Sequence, residues 1–329
     1  MTGPRAPFAW LVLLLAAALA ASLLLGAAGL PAGAVVDALL GSGDAAARVI
    51  VLDLRLPRAL LALLVGGALG VSGAVFQALL RNPLAEPYIL GVSGGAAVGA
   101  VGAIVTGLAV VGDWTVPIAA FAGSLAAIAL VFRVASGAAG RLDTRVLLLA
   151  GVVVGAFFNA LILLLLSFAE TDRFRAAFFW MMGSLAGAEW SGLVWLALYL
   201  LPTLAVLLGL ARAFDLLAIG EETTMHLGAD PERIKIVAYL TASLAVAASV
   251  AVVGVVGFIG LVVPHALRLL WRGDHRFLLP ASFIAGAAFL LVTDTVARTL
   301  VAPAELPVGV VTALVGVPVF VVLLRRRTA

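Results

Sequence analysis

The chain has 329 residues, 64% of them hydrophobic and 11% charged, with a formal net charge of +3. Soluble domains carry roughly a quarter charged residues, so 20 Lys+Arg and 17 Asp+Glu cannot clothe a water-facing surface of this size. The composition excludes a soluble protein and indicates an all-α, polytopic membrane protein, since continuous apolar runs do not show the alternation of a β-barrel.

Charges, prolines and glycine-rich breaks divide the chain into about ten transmembrane spans, at residues 8–30, 57–80, 90–111, 116–136, 145–168, 190–210, 234–254, 256–271, 278–298 and 307–324. All belong to a single transmembrane domain, residues 1–329. The run 8–30 is too long for a signal-peptide core and is followed by further spans, so it reads as a membrane helix.

The connection 31–56 carries Asp37, Asp44, Arg48, Asp53 and Arg55. Residues 55–58 (RLPR) then open the second span. Pro57 suits a first helical turn, but arginines at the positive end of a helix call for an anion, which lipid phosphate can supply. Residues 81–87 (RNPLAEP) form a proline-punctuated polar turn. The connection 211–235 is the most charged part of the chain, with Glu221, Glu222, Asp230, Glu232 and Arg233. It reads as a short helix ending at Gly228 and a new start at Asp230, either a docking knob outside the membrane or a solvated loop. In the eighth span Gly254, Gly257, Gly260 and Pro264 predict a bent or broken helix. Asp294 and Arg298 stand four apart, which allows an ion pair, and Glu305 either serves Arg298 or caps the last helix.

With the N-terminus inside, six basic residues fall outside: Arg48, Arg55, Arg58, Arg173, Arg175 and Arg298. The other fourteen fall inside. Basic flanks mark the cytoplasmic side, so both termini read as cytoplasmic, in the inner membrane of the cell. Isolated basic residues between apolar runs are no footprint for nucleic acid.

Much chemistry is missing. The chain has no cysteine. Its single lysine, Lys235, stands in RIKI rather than in the GxxxxGK[ST] loop of an ATPase. His226, His265 and His275 fit no metal-binding spacing. Glycines at 91–102 and at 151 and 155 suit close helix contact. No span holds a carboxylate pair, which argues against a proton relay. The reading is a non-enzyme with neither metal nor cofactor of its own.

Together, 55–58 (RLPR), 72–77 (SGAVFQ), 81–87 (RNPLAEP) and 89–95 (ILGVSGG) resemble the FecCD family, permeases of type II ABC importers for vitamin B12, ferric siderophores and haem. Residues 257–265 (GFIGLVVPH), Arg268, 274–276 (DHR), Asp294, Arg298, 305–309 (ELPVG) and 316–318 (GVP) extend the likeness. The resemblance implies ten helices in the type II fold, with helices 2–5 and 7–10 related by an inverted repeat. It also implies a second permease copy, most simply a homodimer, around a central pathway. Two cytoplasmic ABC ATPase subunits would hold ATP and Mg, and a periplasmic or lipid-anchored protein would deliver substrate. It assigns binding-protein docking to Arg55, Arg58 and Arg298, and ATPase coupling to Glu221, Glu222, His226, Leu227, Gly228 and Asp230. It assigns cytoplasmic gates to Asn82 and Leu84 and to Asp143 and Thr144. Asp143 departs from the small hydroxylated residues of vitamin B12 permeases. Ser72, Gln77, Ser93 and Asn159 are the polar candidates along an otherwise small and apolar pathway. The expected function is the permease subunit of an ATP-driven importer for a bulky metal chelate. Ferric siderophore and cobalamin stand level as cargo, with haem third. An ion-coupled transporter or channel without an ATPase is the alternative, opposed by the missing carboxylate pair and the docking knob.

Overall fold

A computed structural model describes residues 5–136, 142–271 and 273–328; Arg141 and Arg272, two of the basic residues counted inside, lie outside these. The described residues form helices and turns, with no strand. In chain order the helices are α1 (Arg5–Leu24), α2 (Ala32–Leu39), α3 (Ala45–Arg48), α4 (Leu56–Leu79), α5 (Val92–Val105), α6 (Thr115–Ala135), α7 (Thr144–Ser167) and α8 (Thr171–Met181). They continue with α9 (Trp190–Gly209), α10 (Ala211–Ile219), α11 (Glu221–His226), α12 (Pro231–Val253), α13 (Ile259–Leu270), α14 (His275–Thr299) and α15 (Val308–Thr328).

Among the described residues, six helices are long and apolar enough to cross a membrane: Ala45–Leu79, Thr115–Ala135, Thr144–Ser167, Trp190–Gly209, Pro231–Val253 and His275–Thr299. Four shorter apolar stretches, Phe8–Leu24, Val92–Val105, Ile259–Leu270 and Val308–Leu323, occupy the places read as the first, third, eighth and tenth spans. Burial separates their roles. The apolar window of α4 is 89% buried, whereas those of α6 and α9 are 28% buried. Thus α4 is the protein-enclosed axis of the bundle, and α6 and α9 present Leu and Val to the hydrocarbon.

Glycine sets how closely α4 packs. Helices in lipid gain no hydrophobic drive from one another and associate through close backbone approach. Gly66 and Gly70 lie on the backbone of Gly286 and Ser282 in α14, and Gly73 lies on Gly260 of α13. Gly95 and Gly99 seat α5 on Gly123 and Ala119 of α6 in the same way. The contacts also come in related sets. Exchanging α4, α5, α6 and α7 for α12, α13, α14 and α15 turns α4–α14 into α12–α6, α4–α13 into α12–α5, and α5–α6 into α13–α14. The pairs α6–α7 and α5–α7 likewise become α14–α15 and α13–α15. This is the pattern of an internal repeat.

Between α12 and α13 the predicted bend is a full break. Gly254 sits at φ +71, and a side chain there would meet the Trp180 carbonyl; Phe258, at φ +69, adopts the left-handed conformation that non-glycine residues rarely take. Backbone groups at this depth need partners. Ser184 N–H donates to the Val253 carbonyl at 2.8 Å. The Tyr88 hydroxyl donates to the Val256 carbonyl at 2.5 Å and accepts the Val256 N–H at 3.1 Å. The Glu86 carboxyl accepts the Phe258 N–H at 2.8 Å. Burial pushes this carboxyl up, and the Phe258 N–H pulls it back. The RNPLAEP turn is therefore the brace of the broken helix. Glu86→Leu orphans the Phe258 N–H, and we expect a loss of about 1–3 kcal/mol, read as a lowered midpoint of thermal unfolding. Glu86→Gln retains an acceptor and should lose less.

Besides α11, four short helices among the described residues lie outside the spans read from the sequence. The connection 31–56 holds α2 and α3, and α3 runs through a π-helical stretch, Val49–Arg55, straight into α4. The π-turn leaves the Leu52 carbonyl for the Trp190 indole N–H, at 3.0 Å. In the connection 211–235, α10 precedes α11; its buried Ala211, Phe214 and Leu217 recur every third residue, a helical signal. The fourth is α8, between α7 and α9.

Candidate functional site: charged clusters at the two ends of α4

The N-terminal end of α4 gathers arginines and acids. Arg58 Nη2 lies 2.8 Å from Asp294 Oδ1, its Nε is 3.1 Å from both Asp294 oxygens, and its Nη1 is 3.0 Å from both oxygens of Glu305. Arg298 Nε stands 3.7 Å from Asp294 Oδ2, and its Nη2 takes the Ser22 hydroxyl at 3.0 Å and the Ser22 carbonyl. Asp294 is fully buried (0% exposed) between the two guanidinium groups. Arg55 belongs to a separate arrangement. Its Nη1 donates to the carbonyls of Leu23 at 2.7 Å and Leu24 at 3.0 Å, and its Nη2 to that of Ala28. It caps the free carbonyls at the end of α1, the usual task of a cation there. The anion sought for Arg58 in the sequence is thus supplied within the chain, and Glu305 serves Arg58 rather than Arg298.

At the other end of α4, Arg81 follows the helix at φ +48. Its Nη2 lies 3.6 Å from Glu221 Oε1 of α11. Asp230 caps α12 by accepting the N–H groups of Glu232 at 3.0 Å and Arg233 at 3.2 Å, after Gly228 has turned the chain at φ +81. Asp143 caps α7 in the same fashion through the N–H groups of Arg145 and Val146, which hold its carboxyl below the usual range. A cleft of about 550 Å³ joins Arg81, Asp143, Thr144, Glu221, Asp230 and Lys235, among others. Two sets assigned separate roles in the sequence, Asp143–Thr144 and Glu221–Asp230, therefore share one cleft. Asn82 and Leu84 do not line it; Asn82 Oδ1 instead accepts the Leu84 N–H at 3.0 Å, holding their turn. Glu222, His226, Leu227 and Gly228 form an exposed tip.

The chain matches the FecCD transport family over residues 13–326. It belongs to that family. Vitamin B12 import system permease protein BtuC of Escherichia coli is 43% identical over 278 residues, covering 84% of each chain. Hemin transport system permease protein HmuU of Yersinia pestis is 41% identical over 285 residues, 84% of this chain and 83% of that one. A solved structure of a metal-chelate type ABC transporter in an inward-facing conformation superposes with a TM-score of 0.86 at 33% identity, over 98% of this chain and 99% of that one. The protein is a multi-pass membrane permease with the ABC transporter permease fold.

As for the pathway candidates, Ser72, Gln77 and Ser93 are buried in the chain's own bundle, whereas Asn159 is exposed on α7. Gln77 donates to the carbonyls of Gly260 and Leu261 at 3.3 and 3.2 Å and accepts from Arg268, so it clasps α4 to α13. Lys235 and Glu232 were missed as site residues. The signal was present: a lone lysine three residues after Glu232, in the chain's most acidic stretch.

Proposed function

We propose that this permease is the membrane subunit of an ATP-driven importer that moves a bulky metal chelate into the cytoplasm. The observation that carries the reading is the two relatives above 40% identity over more than four-fifths of each chain, whose names assign them to vitamin B12 and hemin import. Cobalamin and ferric siderophore are the favoured cargoes, followed by haem. Two copies would enclose the pathway in the inner membrane, with both termini cytoplasmic. ATP and Mg belong to two partner ATPase subunits, because the only lysine here is in no phosphate loop.

In this reading the exposed tip of α11, with Leu227 61% exposed, meets the ATPase. An extracytoplasmic binding protein docks at the N-terminal end of α4. Glu305, at 39% side-chain exposure, is the accessible member of that cluster, and Arg58 is the cation beneath it. An acidic residue of the partner would compete with Glu305 for the Arg58 fork, which grips carboxylates bidentately. Arg298 and Arg55 then serve the platform by fixing Asp294 and the end of α1. The gate in this reading is formed by Asp143 and Thr144 beside the cleft and by Asn82 and Leu84 in the RNPLAEP turn, which also braces the broken segment 254–258.

The test is purification of the tagged chain from a native membrane. An importer permease brings down an ATPase whose hydrolysis is absent from the isolated permease and is stimulated by its binding protein. Titrating that protein with cyanocobalamin, hemin and a ferric siderophore then identifies the cargo. Uptake in proteoliposomes driven by an ion gradient, without ATP, would instead establish the secondary-transporter alternative.

A further inference from the structure

We infer that Lys235 is a transmission residue that couples movement of α11 to the first turn of α7. The inference rests on the importer reading above and adds a specific route to it.

Lys235 is 5% exposed, in the second turn of α12. Its ammonium meets three acceptors: the Leu142 carbonyl at 2.8 Å, Glu221 Oε2 at 3.2 Å and Glu232 Oε2 at 2.9 Å. Two of the three ammonium donors make hydrogen bonds, to Leu142 and Glu221, and Glu232 completes the hub as an ion pair. Each acceptor belongs to a different segment. Glu221 opens α11, Glu232 opens α12, and Leu142 immediately precedes the cap of α7. Glu232 also accepts the Leu142 N–H, so both backbone polar groups of Leu142 are held by α12.

The linkage follows from burial. A desolvated ammonium cannot part from its anions without a large penalty. If the ATPase displaces α11, Glu221 moves, and Lys235 must follow it or lose a counter-charge. Lys235 in turn holds the Leu142 carbonyl. Leu142 is bonded to Asp143, whose carboxylate binds the Arg145 and Val146 N–H groups of α7. Displacement at Glu221 is thereby passed to α7 through two side chains and one capping residue. Glu221 also reaches Arg81, so the end of α4 feels the same shift. The adjoining cleft of about 550 Å³, lined by Met225, Thr144 and Arg145, gives the hub room to rearrange. A plain staple would need neither three segments nor a cleft beside it.

The absence of cysteine makes Thr144→Cys the single thiol of this chain, read in the permease band after the subunits are separated by denaturing electrophoresis. The co-purified permease–ATPase complex in nanodiscs is labelled with a water-soluble maleimide, with and without ATP and orthovanadate. With Lys235 intact, the labelling rate should change about tenfold between the two states, within the usual range of coupling between sites. Lys235→Met should keep ATPase hydrolysis and assembly but reduce that change to less than about twofold, and Lys235→Arg should restore it. Should Lys235→Met fail to fold, Glu232→Gln removes one charge from the hub and is read in the same way. A nucleotide response unchanged in Lys235→Met or Glu232→Gln overturns the inference, as does a Thr144→Cys site indifferent to nucleotide in the otherwise wild-type complex. Failure of the wild-type chain to co-purify an ATPase is a different result; it rejects the importer reading itself.

Discussion

Asp294→Ala lowers the stability of the folded permease by about 3–5 kcal/mol, the cost of leaving buried charge without its partner. Asp294 is wholly enclosed and stands between Arg58 and Arg298. Removing it leaves Arg298 with only Ser22 and leaves Arg58 with only Glu305. Neither guanidinium can shed its proton as an escape. Glu305→Gln is the control at the same cluster. Its side chain is 39% exposed, and an exposed ion pair contributes at most about 1 kcal/mol. In detergent the midpoint of thermal unfolding should fall on the order of 10 °C for Asp294→Ala and hardly move for Glu305→Gln. A triple change, Asp294→Leu with Arg58→Met and Arg298→Met, should recover much of the loss, because apolar replacement of a buried ionic group is often neutral or better. Equal midpoints for Asp294→Ala and Glu305→Gln would show that the buried carboxylate is not the centre of this network.

The same cluster shows what was legible beforehand. Helical spacing exposes the Asp294–Arg298 pair, four residues apart, and charge counting sets both near one end of the ninth span. Nothing in the spacing reveals that Arg58, 236 positions away from Asp294, is its principal partner. That fact depends on the α4–α14 crossing, which is built on Gly66, Gly70 and Gly286. Glycine clusters are readable, but which helix each one faces is not, since most faces of these spans carry the same small and apolar residues. Arg55 and Arg58 look equivalent in RLPR, yet one caps α1 and the other enters the ion network. Arg55 ends the π-helical stretch and Arg58 lies in the first turn of α4, a boundary with no signature in the sequence.

At the opposite end, local chemistry was more informative. Gly228 followed by Asp230-Pro231 is a stop and a start, and the chain turns there with Gly228 at φ +81 and Asp230 as cap. The buried triplet of α10 is masked in the sequence by the charged residues around it. Lys235 is half legible: a lone lysine three residues after Glu232 points to an ion pair, but no sequence pattern reports its backbone acceptor at Leu142. Both ends of α4 thus have clusters whose residue types were legible and whose pairings belong to the tertiary fold.

The second large effect lies about three-quarters of the way along α4, at Gly73. Gly73→Ala should destabilise the permease by about 3 kcal/mol, although alanine is the better helix former by about 1 kcal/mol. A methyl at residue 73 would overlap the backbone of Gly260 in α13. Side chains can rotate away from such a clash, but this backbone has little freedom. Gly260 packs against Pro87 and the Leu69 carbonyl, its own carbonyl accepts from Gln77 at 3.3 Å, and the segment just before it is braced by Glu86 at Phe258. Relief would require α4 and α13 to separate, opening the contact that seats the broken helix. Gly155→Ala in α7 is the matched control, since it offers the same gain in helix propensity and nothing lies within 4 Å of the new methyl. It should leave the midpoint of thermal unfolding unchanged or slightly raised, while Gly73→Ala lowers it. If the two variants unfold alike, the α4–α13 contact has slack, and the brace from the RNPLAEP turn does not hold α13 against α4.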